Sequence, residues 1–326
     1  MDTFLQQLVN GLTAGSVYAV VALGYTMVYG IIQLINFAHG EVVMIGAMVA
    51  FTVINALAPG MSPLVVVLLG TSAAIPVCML VGYTMERLAY RPLRRAPRLA
   101  PLITAIGVSI VLQHLAMVVW SRNVLAFPQI IKTQTYFFFG AAINSVQIAI
   151  VLICFALMAG LALLVYRTRL GTAMRATAQN PQVAALMGID ANRVIAATFI
   201  IGAGLGAVAG VLYGTYYGIA QYTMGSILGL KAFCAAVLGG IGNIPGAMLG
   251  GLLLGLLEAL GAGYIGDFTD LCQYGWLAPG ITACEGGGHF ILFGSNYQDV
   301  FAFLVLILVL VFRPSGLLGE RVGDRA

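Results

Sequence analysis

Residues 194–230, VIAATFIIGAGLGAVAGVLYGTYYGIAQYTMGSILGL, run for 37 positions without a charged side chain. A helix needs about 20 apolar residues to span the hydrocarbon core of a bilayer. The stretch therefore holds one span and most of another. Within it Gly202, Gly206, Gly210, Gly214 and Gly218 recur at every fourth position, and Gly251, Gly255, Ala259 and Gly263 repeat the spacing further on. Rows of this kind let helix backbones approach closely, because packing and not the hydrophobic effect joins helices in lipid.

The pattern extends in both directions. Uncharged runs also cover 99–121, 133–166, 232–257 and 300–312, and the first 85 residues carry only Asp2 and Glu41. Hydrophobic residues make up 61% of the chain and charged residues 8%, against about 25% charged in soluble proteins. The expected fold is all-α: a polytopic integral membrane protein of eight or nine transmembrane helices with broken or re-entrant segments, forming one transmembrane domain over 1–326. The spans read as 8–29, 37–57, 63–85, 101–121, 146–166, 194–216, 220–238, 245–264 and 297–312. No basic region precedes Leu8, so the first segment reads as a permanent span and not a cleaved signal.

Twelve of the fifteen Lys and Arg residues fall in three places. These are Arg87, Arg91, Arg94, Arg95 and Arg98; Arg167, Arg169, Arg175 and Arg193; and Arg313, Arg321 and Arg325. The positive-inside rule assigns all three to the cytoplasm. Arg122, Lys132, Asp267, Asp270, Glu285 and Asp299 fall in the opposite loops. An odd number of spans puts the N-terminus outside and the C-terminus inside, and the net charge of +4 reflects this loop asymmetry, with no nucleic-acid partner implied.

Just before the opening stretch lies a polar island, RTRLGTAMRATAQNPQVAALMGIDANR, at 167–193. Asn180 suits an N-cap, Pro181 the first helical position and Gly188 a left-handed end, with a short helical turn over Val183 to Met187. A helix of about two turns is marginal in water without packing, so the island is a candidate coupling surface; an ordinary loop with one helical turn is the plainer alternative.

Two segments, LINFAHGEV at 34–42 and AVLGGIGNIPGA at 236–247, interrupt apolar runs. Non-helical backbone at membrane depth is tolerated when buried in protein or lining a cavity, so either could be a broken helix, as a packing kink or as pathway lining. Asn36, His39 and Glu41 cluster at the first break, with Lys231 and Glu258 in later apolar segments. Ionisable groups at such depth mark pathways by default, although Glu41 and His39 could be accommodated at a helix end and Lys231 could snorkel. His114 reads as a packed or capped side chain. No HExxH, GxSxG, Walker A or CxxC sequence is present, which argues against catalysis and nucleotide hydrolysis by this chain. Cys78, Cys154 and Cys234 read as small hydrophobes, whereas Cys272 and Cys284 share an outer loop where a disulfide is permitted.

INFAHGE at 35–41, RATAQNPQVAALMGID at 175–190, KAFCAAVLGGIGNIPGAMLGG at 231–251 and FRPSGLLGE at 312–320 together resemble the LivH-type permease of branched-chain amino-acid ABC importers. The resemblance covers nearly the whole chain. It implies a permease domain in the bacterial cytoplasmic membrane, working by alternating access beside a homologous LivM-type permease, two cytoplasmic ATPase subunits and a periplasmic substrate-binding protein. ATP and Mg would sit on the ATPases, with no cofactor in this chain. Residues 167–193 become the ATPase-coupling loop, with Arg175, Ala176, Asn180, Pro181, Ala184, Leu186 and Gly188 at the matching positions, and 264–297 the periplasmic loop. The importer pattern has Glu where Arg175 stands. A self-sufficient secondary transporter or channel using His39, Glu41 and Lys231 is the rival reading, and an intramembrane enzyme built on His39 and Glu41 a weaker one.

Overall fold

The computed structural model describes residues 2–57, 61–94, 96–97, 99–129, 133–138, 140–270, 272, 291–294 and 297–319. Eleven α-helices lie within them: α1 (Asp2–Ile32), α2 (His39–Leu57), α3 (Pro63–Met85), α4 (Leu99–Val119), α5 (Ser145–Arg167), α6 (Arg169–Gln179), α7 (Pro181–Leu186), α8 (Ala191–Tyr217), α9 (Met224–Gly239), α10 (Ile244–Phe268) and α11 (Gln298–Phe312). A π-helical turn, Glu86–Tyr90, extends α3. Seven of the helices are long and apolar enough to cross a membrane, while α9 and α11 are apolar but only 16 and 15 residues long. The chain is thus a multi-pass membrane protein.

The three basic clusters meet at one end of the bundle. The Arg94 guanidinium donates to Asn192 Oδ1 at 2.6 Å, joining the segment after α3 to the start of α8. Arg175 lines a cavity with Gly242, in the turn between α9 and α10. The chain after α11 docks on the same place, with Leu317 N donating to Leu238 O at 2.9 Å and Leu318 N to Gly239 O at 3.0 Å. Arg95, Arg98, Arg321 and Arg325 lie outside the described residues. Each long connection between helices reverses direction, so the chain begins at the opposite end and reaches the basic end after α11, as an odd number of crossings requires.

The two apolar-run interruptions differ. Gly240 to Asn243 form a tight turn at the basic end, where Asn243 Oδ1 caps α10 by accepting from Gly246 N at 3.3 Å. That break is an ordinary connection and not a broken helix inside the bundle. The other enters the bundle: Gln33 is exposed, but Asn36 and Ala38 are buried. α1 continues to Ile32, Gln33 takes a positive φ of 52°, and the chain turns back so that His39, the first residue of α2, sits against Gly24. Eight residues of α1 separate Gly24 from Ile32, about 12 Å of helix. α2 therefore starts at depth.

Two short sheets were not legible as strands. Leu125–Ala126 (β1) pairs with Ile219–Ala220 (β4), and Thr135–Phe138 (β2) with Ala141–Asn144 (β3), both antiparallel. They close the end opposite the basic clusters. The uncharged run from 133 thus spends its first part on a hairpin, and the helix begins only where Asn144 and Gln147 form a capping box.

The longest contact is between α1 and α10, and the second small-residue row makes it. A Cβ added at Gly255 would lie 2.3 Å from Gly15 Cα, so the two backbones touch. In the first row Gly202, Gly206 and Gly210 pack α8 on α1 and α2 and Gly214 faces the Phe127 ring, whereas Gly218 ends α8 in the left-handed region at φ 69°. Gly255→Leu is expected to cost about 1–3 kcal/mol through overpacking and to lower the melting temperature of purified protein. Gly160→Ala, where an added Cβ meets nothing within 4 Å, should leave it unchanged. Equal melting of both variants would contradict the α1–α10 contact.

Candidate functional site

The start of α2 is built by three polar residues that the bundle buries. Asn36 Oδ1 accepts from Ala38 N at 3.2 Å and from the Tyr90 hydroxyl at 2.7 Å, while its backbone carbonyl accepts from His39 N at 3.0 Å. A local turn of this type fixes how the chain enters the helix, and Tyr90 ties that entry to the π-helical turn. His39 occupies a notch made by glycine. A Cβ at Gly24 would fall 2.1 Å from its Nε2, and its ring meets Tyr25 edge-on with centroids 5.0 Å apart. Nε2 is buried without a hydrogen-bond partner.

Glu41 stands in the first turn of α2, where a negative charge complements the helix dipole. Its side chain is fully buried. Oε1 accepts from Ser109 of α4 at 3.1 Å and from Ser226 of α9 at 3.2 Å. The two serines line a cavity of about 240 Å³ with Tyr25, Phe37, Ile106, Ile110 and Leu230. Asn36 and His39 are joined at the entry of α2, but His39 faces α1 and α8 whereas Glu41 faces α4 and α9, so the cluster read in the sequence is divided between two faces of α2. Ser109 and Ser226 were missed, because a serine in an apolar helix carries no signal until its partner across 68 or 185 positions is known.

Lys231 and Glu258 form a different centre. Lys231 Nζ lies 2.8 Å from both Glu258 Oε1 and Asp299 Oδ1 and 5.7 Å from the Tyr18 ring centroid. The triad clips α9, α10 and α11 together over α1. Lys231 does not snorkel; its side chain is 12% exposed and its charge is met by two carboxylates. It also points away from Glu41. Gly229, two residues earlier on α9, faces Gly40, and residues two apart on a helix point about 200° from each other.

The polar island holds more helix than its end signals indicated. α6 is an amphipathic helix that buries Gly171, Met174 and Thr177, a three-residue periodicity that the sequence carries. Asn180 caps α7, accepting from Gln182 N at 3.0 Å and Val183 N at 3.1 Å. Gly188, at φ 83°, closes it: Gly188 N donates to Ala185 O at 3.0 Å and Ile189 N to Ala184 O at 3.1 Å, the paired bonds of a Schellman ending. Leu186 is 86% exposed and Met187 79%, whereas Ala184 is only 3% exposed. Ala184 thus packs inward, and the outward face belongs to Val183, Leu186 and Met187. Ala176 and Pro181 complete the two helices around the Asn180 cap.

Arg175 has a local task. Its guanidinium donates to the Val165 carbonyl and lies 5.9 Å from the Tyr166 ring centroid. It satisfies a carbonyl left open at the end of α5, so its charge is turned onto its own chain. At the same end of the bundle Arg94 pairs with the buried Glu86, a contact that the sequence did not indicate. His114 Nδ1 lies 2.9 Å from Ile110 O on its own helix. Cys78, Cys154 and Cys234 are free thiols. Cys272 is disulfide-bonded, while Cys284 lies outside the described residues.

Comparison with known proteins supplies the context for this geometry. The family described as "Branched-chain amino acid transport system / permease component" matches residues 7–310. The chain is 48% identical to the high-affinity branched-chain amino acid transport system permease protein BraD of Pseudomonas aeruginosa, across 97% of this chain and 96% of that protein. Identity to the corresponding permease protein LivH of Escherichia coli strain K12 is 44%, with the same coverage. A probable branched-chain amino acid transport permease protein of Methanocaldococcus jannaschii is 27% identical, across 91% of this chain and 87% of that one. No solved structure matches.

The triad generates a stability prediction. Lys231→Met leaves Glu258 buried without its cation and is expected to destabilise the purified protein by about 3–5 kcal/mol. Lys231→Met combined with Glu258→Gln should recover part of that loss. Thermal melting of the single and double variants checks this; a double variant less stable than Lys231→Met alone would contradict the pairing.

Proposed function

We propose, from the premise that this chain belongs to the family of branched-chain amino acid transport system permease components, that it is a membrane-spanning subunit of an ATP-driven importer that moves branched-chain amino acids across the bacterial cytoplasmic membrane. The observation that carries the reading is the match to two branched-chain permease proteins over nearly the full length of both partners. The chain works beside a homologous LivM-type permease, receives its solute from a periplasmic binding protein and is driven by two cytoplasmic ATPases. Those ATPases hold ATP and Mg; this subunit contributes a passage and no hydrolytic site. Residues 167–193 are its cytoplasmic coupling loop, and 264–297 its periplasmic loop.

The island suits the task of coupling. α7 is short, but its cap at Asn180, its ending at Gly188 and its seat on α6 hold its outer face in one orientation, which lowers the entropy lost on docking. Val183, Leu186 and Met187 present an apolar patch on a polar loop. From there a contiguous set of contacts reaches the passage: Asn192 at the start of α8 binds Arg94, Arg94 pairs with Glu86 in the π-helical turn, and Tyr90 of that turn holds Asn36 at the entry of α2. Movement of the island during nucleotide binding thereby reaches Glu41. The rival reading as a self-sufficient carrier loses Lys231, whose charge is met by Glu258 and Asp299.

Leu186→Asp places a charge on the docking face, where it would be desolvated without a partner. In cells lacking the native copy, the wild-type chain should restore uptake of labelled leucine. Leu186→Asp should lower the rate by about tenfold or more, equivalent to ~1.4 kcal/mol at the contact, with normal amounts in the membrane. Uptake by Leu186→Asp at the wild-type rate would contradict the coupling role. Ala184→Asp is a poorer probe, since the buried Ala184 reports on folding of the island.

A further inference from the structure

The cavity between α1, α4, α9 and Phe37 of the segment leading into α2 has a polarity that its own walls do not explain. Phe37, Ile106, Ile110 and Leu230 make most of its surface apolar, and the Ser109 and Ser226 hydroxyls lie among them. Glu41 sits behind both serines, fully buried, with Oε1 accepting from each. A carboxylate oxygen only accepts hydrogen bonds, so each serine directs its single proton at Glu41. What the hydroxyls can offer a guest is therefore lone pairs. Ser226 also accepts from Gln113 Nε2 at 3.2 Å, which leaves Ser109 the freer acceptor.

The charge balance points the same way. Glu41 Oε2 is buried and, among the described residues, has no hydrogen-bond partner, and none of the described Lys, Arg or His residues lines the cavity. An uncompensated buried carboxylate is costly, and a cation brought close to it relieves part of that cost. An anion at the same place would meet lone pairs and a like charge. The site thus selects a guest with a cationic hydrogen-bond donor at one end and an apolar body at the other.

We propose that this cavity is the subsite that reads the ammonium group of the transported amino acid. Ser109 and Ser226 accept from the ammonium, and the four apolar residues take the aliphatic side chain. Glu41 is a positioning residue: it orients both hydroxyls and supplies negative charge without touching the solute. Holding the carboxylate one side chain away keeps the ammonium from a direct ion pair, so the solute is recognised and still leaves. The proposal rests on the reading of the chain as an amino-acid permease and adds the residues that recognise the solute.

The test uses the complete importer in proteoliposomes with its binding protein and ATP, supplied with a leucine analogue carrying a diazirine in its side chain. Irradiation during turnover should label Ile106, Ile110 or Leu230, located by mass spectrometry. Ser109→Ala combined with Ser226→Ala should remove that label and lower leucine uptake by about tenfold or more. Ser109→Thr, which keeps a hydroxyl, should retain both. Glu41→Gln should lower uptake while loaded binding protein still stimulates ATP hydrolysis, which a misfolded variant would not show. Label confined to other parts of the wild-type chain, or wild-type uptake by the paired alanine variant, overturns the subsite and leaves the branched-chain reading intact. A wild-type assembly that does not import leucine overturns both.

Discussion

Direct contact between helix backbones is the constraint on which the rest of this structure depends. In lipid no hydrophobic force gathers helices, so close packing has to do it, and here glycine brings main chains together along α1 and α10. The same device opens the notch at Gly24 into which His39 fits. That notch lets α2 begin inside the bundle and not at its rim. Glu41 reaches the serines of α4 and α9 only because α2 starts there.

Two polar centres follow from this arrangement, and they do different things. The Lys231 triad sets one cation between two carboxylates, and it fastens the later helices to α1. Glu41 has hydrogen-bond donors but no cation among the described residues, and it lies beside a cavity. The first centre resists change and the second invites a guest. Their separation onto opposite faces of α9 means that a solute at the cavity need not disturb the clip that holds the bundle.

Local signals carried much of this. The positions of the spans, the gathering of the basic clusters at one end and the shape of α7 between Asn180 and Gly188 are set by neighbours in sequence: apolar length, loop charge, a cap and a left-handed glycine. Contacts between distant segments were not legible. Lys231 shows its dependence on Glu258 and Asp299 only once α9, α10 and α11 are in place, and Asp299 alone looks like a loop charge. Arg175 appeared as a departure at a contact position, whereas the fold uses it to finish α5. Ala184 and Leu186 are equivalent in sequence but lie on opposite faces of α7. The amphipathic period of α6 was present and overshadowed by the stronger end signals that follow it.

The account stands on the claim that this chain is one part of an ATP-driven assembly and does not transport alone. The most direct measurement compares leucine uptake into proteoliposomes containing the chain by itself with uptake into proteoliposomes containing the permease pair, both ATPases and binding protein. Uptake only by the complete assembly, and only with ATP on the ATPase side, is the predicted result. Leucine accumulation by the chain alone, driven by an imposed proton or ion gradient, would contradict it.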